Sequence, residues 1–377
     1  MWKQLWFKRS ATILVTFAAA LLLVGSATLY SIPSDIQIFS DETKVLKLPW
    51  KEVTIRVVPS YRILPGGYPV GVKMNVKGVL VVGLEEIETV EGTRVNPGLL
   101  AGIQIGDSIL SIDGIKVDQA KDVQTLINDS NASGKPVLLR VKRKDEILTM
   151  TVKPVKSVES SRFQLGVWVR DKTAGIGTLT FYHPETGNFG ALGHAITDPD
   201  TGSILKVANG ELVNAKVVSV RQGRAGEPGE IKGIFYEDDA PFGKLQLNTE
   251  FGIFGSTYGT YRNPYYSEPL EIGYQDEIKQ GKAYLLCTLE QDQIERFEVT
   301  IEKINKQSKP DTKSMIIRVT DPRLLAMSGG IVQGMSGSPL IQDGKMIGAV
   351  THVFVNDPER GYAIFIEWML QQETQLP

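Results

Sequence analysis

Cysteine is almost missing from this chain: Cys287 is the only one in 377 residues, so no internal disulfide can form and no cysteine-based metal site can be assembled. Histidine is scarce too. His183, His194 and His352 are the only three, and none sits in a His-Glu-x-x-His helix motif, so no metal centre is expected. Charge of one sign is also lacking. The 41 basic and 43 acidic side chains nearly cancel and form no long block, which leaves no electrostatic footprint for nucleic acid. No glycine-rich phosphate cradle and no internal repeat is present, so no nucleotide or other cofactor is expected. A chain this poor in cysteine suits a bacterial exported protein better than a disulfide-stapled secreted domain.

The N-terminus does hold one long apolar run. Lys3, Lys8 and Arg9 precede an apolar stretch from Ala11 to Tyr30, long enough to span a bilayer, and the basic flank favours a cytoplasmic N-terminus. Residues 1–31 therefore read as a cytoplasmic flank and signal-anchor, with the rest of the chain outside. A cleaved signal peptide is the rival reading, and it exports the same residues.

Length alone suggests two or three domains. Residues 32–65 read as a stalk with one β-like run, Val53 to Val58. Residues 66–155 change to short β-branched runs with an amphipathic helix from Gln119 to Ser130. Within them, the run from Asn96 to Gly114 combines a short helix closed by Gly102, a turn at Gly106-Asp107, an alternating apolar strand and a tight Asp113-Gly114 turn. That combination resembles the core of a PDZ domain (α+β). Such domains add an extended peptide as a strand and hold its terminal carboxylate on backbone amides. By the family's order of elements, Gly67, Val70, Gly71 and Val72 are the expected peptide-binding residues, with Val70 to Met74 as the edge. Lys153 to Arg162 reads as a linker. Residues 162–377 are rich in glycine and β-like runs, with one late helix, Ile366 to Gln372. That texture fits a double β-barrel, with an all-β sandwich as the alternative.

The most informative segment is Gly334-Met335-Ser336-Gly337-Ser338-Pro339-Leu340, which runs into a strand, a Gly344 turn and a second apolar strand ending at Val350. A serine between glycines on a tight turn leaves backbone N–H groups free to converge on an oxyanion. Ser336 is the candidate nucleophile, with the N–H groups of Gly334 and Ser336 as the expected oxyanion donors. The segment resembles the nucleophile turn of chymotrypsin-like serine proteases. A serine hydroxyl needs a base. His194, in an apolar glycine-rich approach and ahead of Ser336 in the chain, is favoured; His183 reads as a surface-loop residue and His352 as a strand residue near the site. For the acid that orients the base, spacing leaves Asp198, Asp238, Asp239 and Asp321 open.

Taken together, the anchor, the PDZ-like module and the motifs Leu192 to Asp198, Thr320 to Leu325, Gly329 to Pro339 and Gly348 to Pro358 resemble the stage IV sporulation protein B signalling peptidases of endospore-forming bacteria. The resemblance implies a mainly β fold with some α: a transmembrane helix, a PDZ domain and a chymotrypsin-like double β-barrel serine protease domain. It implies His194 as base, Ser336 as nucleophile and Asp321 as acid. It further implies self-cleavage, and cleavage of a membrane-associated regulator of an intramembrane protease in the space between forespore and mother cell, which starts processing of a sigma-factor precursor. Met335 stands where trypsin-like zymogens carry the Asp that receives a freed amine, so that activation switch is absent. The competing function is a PDZ adaptor whose barrel is a catalytically inactive scaffold.

Overall fold

The computed structural model of the chain describes residues 60–376, except 130–133, 236–239 and 291–292, and the backbone of 35–38, 44–48 and 51–57. The expected membrane-spanning segment, Ala11 to Tyr30, lies outside these residues. Among the described residues no helix is long and apolar enough to cross a membrane. The chain up to Tyr61 is a unit of its own. In it β1 (Asp35–Ile38), β2 (Lys44–Leu48) and β3 (Lys51–Val57) form a small sheet, with β3 parallel to β1 and antiparallel to β2. Three paired strands thus stand where the sequence suggested a stalk with one.

The second unit begins with β4 (Arg62–Pro65) and the long β5 (Pro69–Leu84). The even positions Val70, Val72, Met74 and Val76 of β5 bury into one core with Phe189, Leu212, Leu245 and Ile253. Its odd positions begin polar, at Lys73, Asn75 and Lys77, and turn apolar at Val79 and Val81, which bury into a second core with Ile109, Leu139 and Val141. Period-two alternation gives each face of a strand its own partner, and here the odd face changes partner halfway. Gly78 marks the change. Its φ of 76° is left-handed, and a Cβ there would lie 2.7 Å from the carbonyl oxygen of Ile109, so only glycine fits the bulge.

Past Gly78, β5 is extended by β6 (Ser108–Ile112), β7 (Val137–Arg143) and β8 (Glu146–Val152), with helices α1 (Pro97–Leu100) and α2 (Ala120–Asn128). This is the PDZ-like module. Asn96 caps α1 by accepting from the Leu99 N–H, and the 113–114 turn has both residues at positive φ, 49° and 83°. The buried Asp107 carboxylate is held by the Arg143 fork, Nε to Oδ1 at 2.8 Å and a terminal nitrogen to Oδ2 at 2.7 Å.

The chain then returns as β9 (Val167–His183), which pairs antiparallel with β5 from Leu84 down to Pro69. With β10 (Asn188–Ala191), β11 (Val207–Asn214), the hairpin β12 (Lys216–Arg221) and β13 (Glu230–Ile234), β14 (Gly243–Thr249) and β15 (Gly252–Thr257), the first barrel is complete. Its ring runs β5, β11, β14, β15, β10, β9 and back to β5. The PDZ-like module is therefore inserted between two adjacent barrel strands. Residues 69–76, within the segment bounded at residue 66, are hydrogen-bonded along both edges inside the first barrel, to β9 and to β11.

The second barrel is closed in the order β16 (Gly281–Thr288), β17 (Ile294–Ile304), β18 (Met315–Val319), β21 (Asp357–Phe365), β20 (Lys345–Phe354) and β19 (Pro339–Gln342). Helix α3 (Pro322–Ser328) precedes the loop that carries Ser336, and α4 (Ile366–Glu373) ends the chain.

Candidate active site

The loop from Ile331 to Ser338 is pinned on both flanks by the first barrel. The Thr178 N–H donates to the Ser336 carbonyl at 3.1 Å, and the Thr178 hydroxyl donates to the Gly334 carbonyl at 2.8 Å. The β12–β13 hairpin holds it from the other side, through Gln333 N–H to Gly229 carbonyl at 2.9 Å and Ile231 N–H to Gln333 carbonyl at 2.8 Å. Met335 N–H bonds back to Val332, Gly337 N–H to Val350 and Ser338 N–H to Met335. Gly337 has a φ of 94°, and a Cβ on it would come within 2.2 Å of the Thr178 carbonyl oxygen, which accounts for glycine after the serine. Among the described residues, the N–H groups left without a hydrogen bond in this turn include those of Gly334 and Ser336, and both residues line a cavity of about 460 Å³.

His194 lines the same cavity. It follows β10 through two left-handed residues, Leu192 at φ 69° and Gly193 at φ 68°, which turn the chain off the barrel wall. Its Nδ1 lies 2.8 Å from the Ala195 carbonyl oxygen. A carbonyl only accepts, so Nδ1 carries the hydrogen and Nε2 keeps a free lone pair. Burial lowers the imidazole pKa below its ordinary 6.5, and the Ala195 carbonyl partly offsets this. His352, on β20, faces the cavity as well, its ring centroid 5.2 Å from that of His194 and tilted by 39°. Desolvation, with the charges of His194 and Lys313, pushes its pKa down to about 4. The Ser336 hydroxyl donates to the Thr351 carbonyl at 2.8 Å, a resting position from which Oγ must turn to meet a base.

Asp321 is not brought to this site. It is the N-cap of α3: Oδ1 accepts from the Arg323 N–H at 2.9 Å, while Oδ2 accepts from the Arg323 guanidinium at 2.8 Å and from the Glu298 N–H at 3.2 Å. The Arg323 guanidinium, with the two backbone donors, holds its pKa down to about 2. The expected contact between an orienting acid and His194 is absent, because this carboxylate is already occupied by donors from its own helix and from Glu298 of β17. Asp198 is committed to the Arg170 guanidinium and to the Thr201 and Asp200 N–H groups. Asp238 and Asp239 lie outside the described residues. His183, read as a surface-loop residue, is 5% exposed and paired to Glu373. Sequence reasoning missed Thr178, whose threonine-rich strand carried no motif.

The description of the SpoIVB peptidase S55 family matches residues 161–370, and that of the PDZ domain matches residues 70–153. The chain belongs to the SpoIVB peptidase S55 family. It is a serine peptidase with a PDZ domain. A Clostridium perfringens protein named as a zinc metalloprotease is 32% identical over 117 residues, 29% of this chain; the chain spans about a third of that relative's length. The Rv3671c protease of M. tuberculosis in its active form is 16% identical with a TM-score of 0.33, covering 54% of this chain and 74% of that one. Its inactive form gives a TM-score of 0.29 at 16% identity, covering 53% and 84%.

In this S55 peptidase the PDZ groove is not at the residues first expected. Val70 and Val72 are 1% and 3% exposed inside the first barrel, and Gly71 has no room for a Cβ beside Phe235 and Val213. Gly67 links the barrels, its N–H on Leu179 and its carbonyl taking the Thr288 hydroxyl. With both edges of Val70 to Met74 already paired, no peptide can add there. A strand edge is open elsewhere. Among the described residues, β9 from 167 to 171 pairs only with β5, and its other edge faces α2 across a cleft of about 780 Å³. Val123 and Ile127 of α2, and Leu165, Gly166 and Trp168, line that cleft. The sequence signal was Gln164-Leu165-Gly166-Val167, a glycine turn feeding an apolar strand just past the linker Lys153 to Arg162.

Proposed function

We propose that this peptidase is a membrane-anchored, exported endopeptidase in which Ser336 is the nucleophile and His194 the general base. The observation that carries the reading is a single cavity lined by Ser336, His194 and the two unbonded N–H groups of Gly334 and Ser336. When Oγ leaves the Thr351 carbonyl, His194 Nε2 takes its proton as Oγ attacks the scissile carbonyl. The Gly334 and Ser336 N–H groups bind the oxyanion, and the imidazolium then gives its proton to the departing amine. Water, deprotonated by the same imidazole, releases the acyl group. The Ala195 carbonyl holds the tautomer that a carboxylate would otherwise fix.

The basic flank and apolar run at the N-terminus support an anchor with the peptidase outside the cytoplasm, and the family supports a role in sporulation. The proposed substrates are the chain itself and a membrane-associated regulator of an intramembrane protease, whose cleavage starts sigma-factor processing between forespore and mother cell. The PDZ cleft supports capture of an extended peptide as an added strand.

The test compares the full chain with Ser336→Ala and His194→Ala for self-cleavage over time and for labelling by a fluorophosphonate. Both signals present in the wild type and lost in both variants is the expected result. A folded wild type that neither cleaves nor labels would favour the adaptor with an inactive barrel.

A further inference from the structure

The cleft between α2 and the start of β9 carries a charge that its apolar floor does not require. Glu85, Glu86, Glu88 and Glu159 line it, and no lysine or arginine does. Among the described residues, Glu88 alone of the four is in an ion pair, with Arg94 at 4.0 Å across two exposed side chains. Lys121, Lys156 and Arg162, basic residues close to the lining along the chain, are exposed and do not line the cleft. A groove that holds a chain terminus must receive a carboxylate. Here that carboxylate would enter a cleft lined by four others, and the repulsion between surface charges reaches across a screening length of about 8 Å in physiological salt.

We propose that the cleft binds an internal, extended, basic segment of a partner polypeptide, in which lysine or arginine alternates with apolar residues, and that it disfavours a free carboxyl terminus. The segment's backbone pairs with the open edge of β9 at Val167–Val169. Successive side chains of a strand point to opposite sides, so one set packs on Val123, Ile127 and Leu165 while the other reaches the glutamates. The inference rests on the PDZ cleft described above and names the class of its ligand.

Trp168 is 61% exposed on the cleft wall and reports occupancy through its emission. The experiment uses the full Ser336→Ala chain in uncharged detergent, so that bound peptides are not cut. Four short labelled peptides are compared: lysine–valine alternating with both ends blocked, its glutamate–valine counterpart, and an apolar peptide ending in either a carboxylate or an amide. The lysine peptide should bind about tenfold or more tighter than the others, shift the Trp168 emission to the blue and weaken as salt is raised. Glu86→Lys with Glu159→Lys, both at exposed positions, should reverse the order of the lysine and glutamate peptides. Trp168→Phe should abolish the emission change and keep the anisotropy change. Equal binding of the lysine and glutamate peptides, tighter binding of the carboxylate than of its amide, or no binding at all would each overturn the proposal. Because binding is read on a catalytically silenced chain, failure of fluorophosphonate labelling in the wild type would remove the peptidase reading and leave this result standing.

Discussion

At the scale of single residues, the cavity and the helix cap make opposite demands on charge. In the proposed mechanism His194 must be neutral to accept a proton, and burial, by lowering its pKa, keeps it neutral further into acid. The acid limb of fluorophosphonate labelling should therefore have its midpoint below the ordinary imidazole value of about 6.5. His352, with a pKa of about 4, stays neutral across that limb, so His352→Gln should leave its midpoint in place; a midpoint that follows the substitution would make His352 the base. Asp321 works the other way. Its folded pKa of about 2 lies below the unfolded carboxylate value, so its contribution is complete above about pH 4 and is lost as pH falls toward 2. That difference corresponds to about 2 kcal/mol. Asp321→Ala should lower stability by about 1–2 kcal/mol through the lost cap, with Asn restoring part of it, as read by denaturant unfolding. The folded Asn variant should still label; loss of labelling in it would restore Asp321 to the catalytic machinery. Ser336 and His194, which line one cavity, carried local signals in the sequence, glycine neighbours and chain order. The job of Asp321 was not legible there, because Asp-Pro-Arg ahead of a helix writes a cap and a catalytic acid with the same letters.

At the scale of elements, α4 is tied to the first barrel by a buried pair, although every strand of the second barrel precedes it in the chain. Glu373 accepts from Thr186 and Asn188 and pairs with His183 Nδ1 at 2.8 Å, on the β9–β10 turn. The hydrogen bond that the imidazole donates to Glu373 raises the His183 pKa, and the neighbouring donors and imidazole lower that of Glu373 against its burial. The signs define a window. The histidine's contribution is full below its unfolded value near 6.5 and is lost as pH rises through its raised folded value. The glutamate's contribution is full above about 4.3 and is lost as pH falls through its lowered one. Stability should therefore peak between these limits, and Glu373→Ala should flatten the peak while lowering stability by about 3 kcal/mol, the usual order for breaking a buried pair. An unchanged pH profile in calorimetry would show that the latch contributes nothing. The final helix itself was legible from its apolar spacing. Its partner was not, since 190 residues separate His183 from Glu373 and a Tyr-His-Pro turn reads as surface.

At the scale of the whole molecule, β9 joins the two functions. Its first residues form the open edge of the cleft against α2, Thr173 to Ile176 wall the cavity of Ser336 and His194, and Thr178 holds the Gly334 and Ser336 carbonyls. The sequence announced two consecutive domains because the PDZ motifs and the nucleophile motifs are each contiguous. The nesting of one in the other was hidden, since a strand at residues 69–76 looks alike whichever sheet it joins. Only the change on its odd face, from Lys73, Asn75 and Lys77 to Val79 and Val81, recorded the passage. Nesting decides how the PDZ domain can be removed. Deleting 66–155 would take a strand out of the first barrel and with it the Val70 to Val76 core, so that chain should not fold. Leu80 and Arg170 are antiparallel partners, so joining them by an Asn-Gly turn in place of residues 81–169 closes a hairpin with the strand order intact. The shortened chain should keep both barrels, the Arg170–Asp198 pair and fluorophosphonate labelling, while losing binding of extended peptides. If it folds, as judged by circular dichroism and cooperative melting, but no longer labels, β9 carries a signal from the cleft to Ser336, and the PDZ domain holds the catalytic turn in place as well as capturing its ligand.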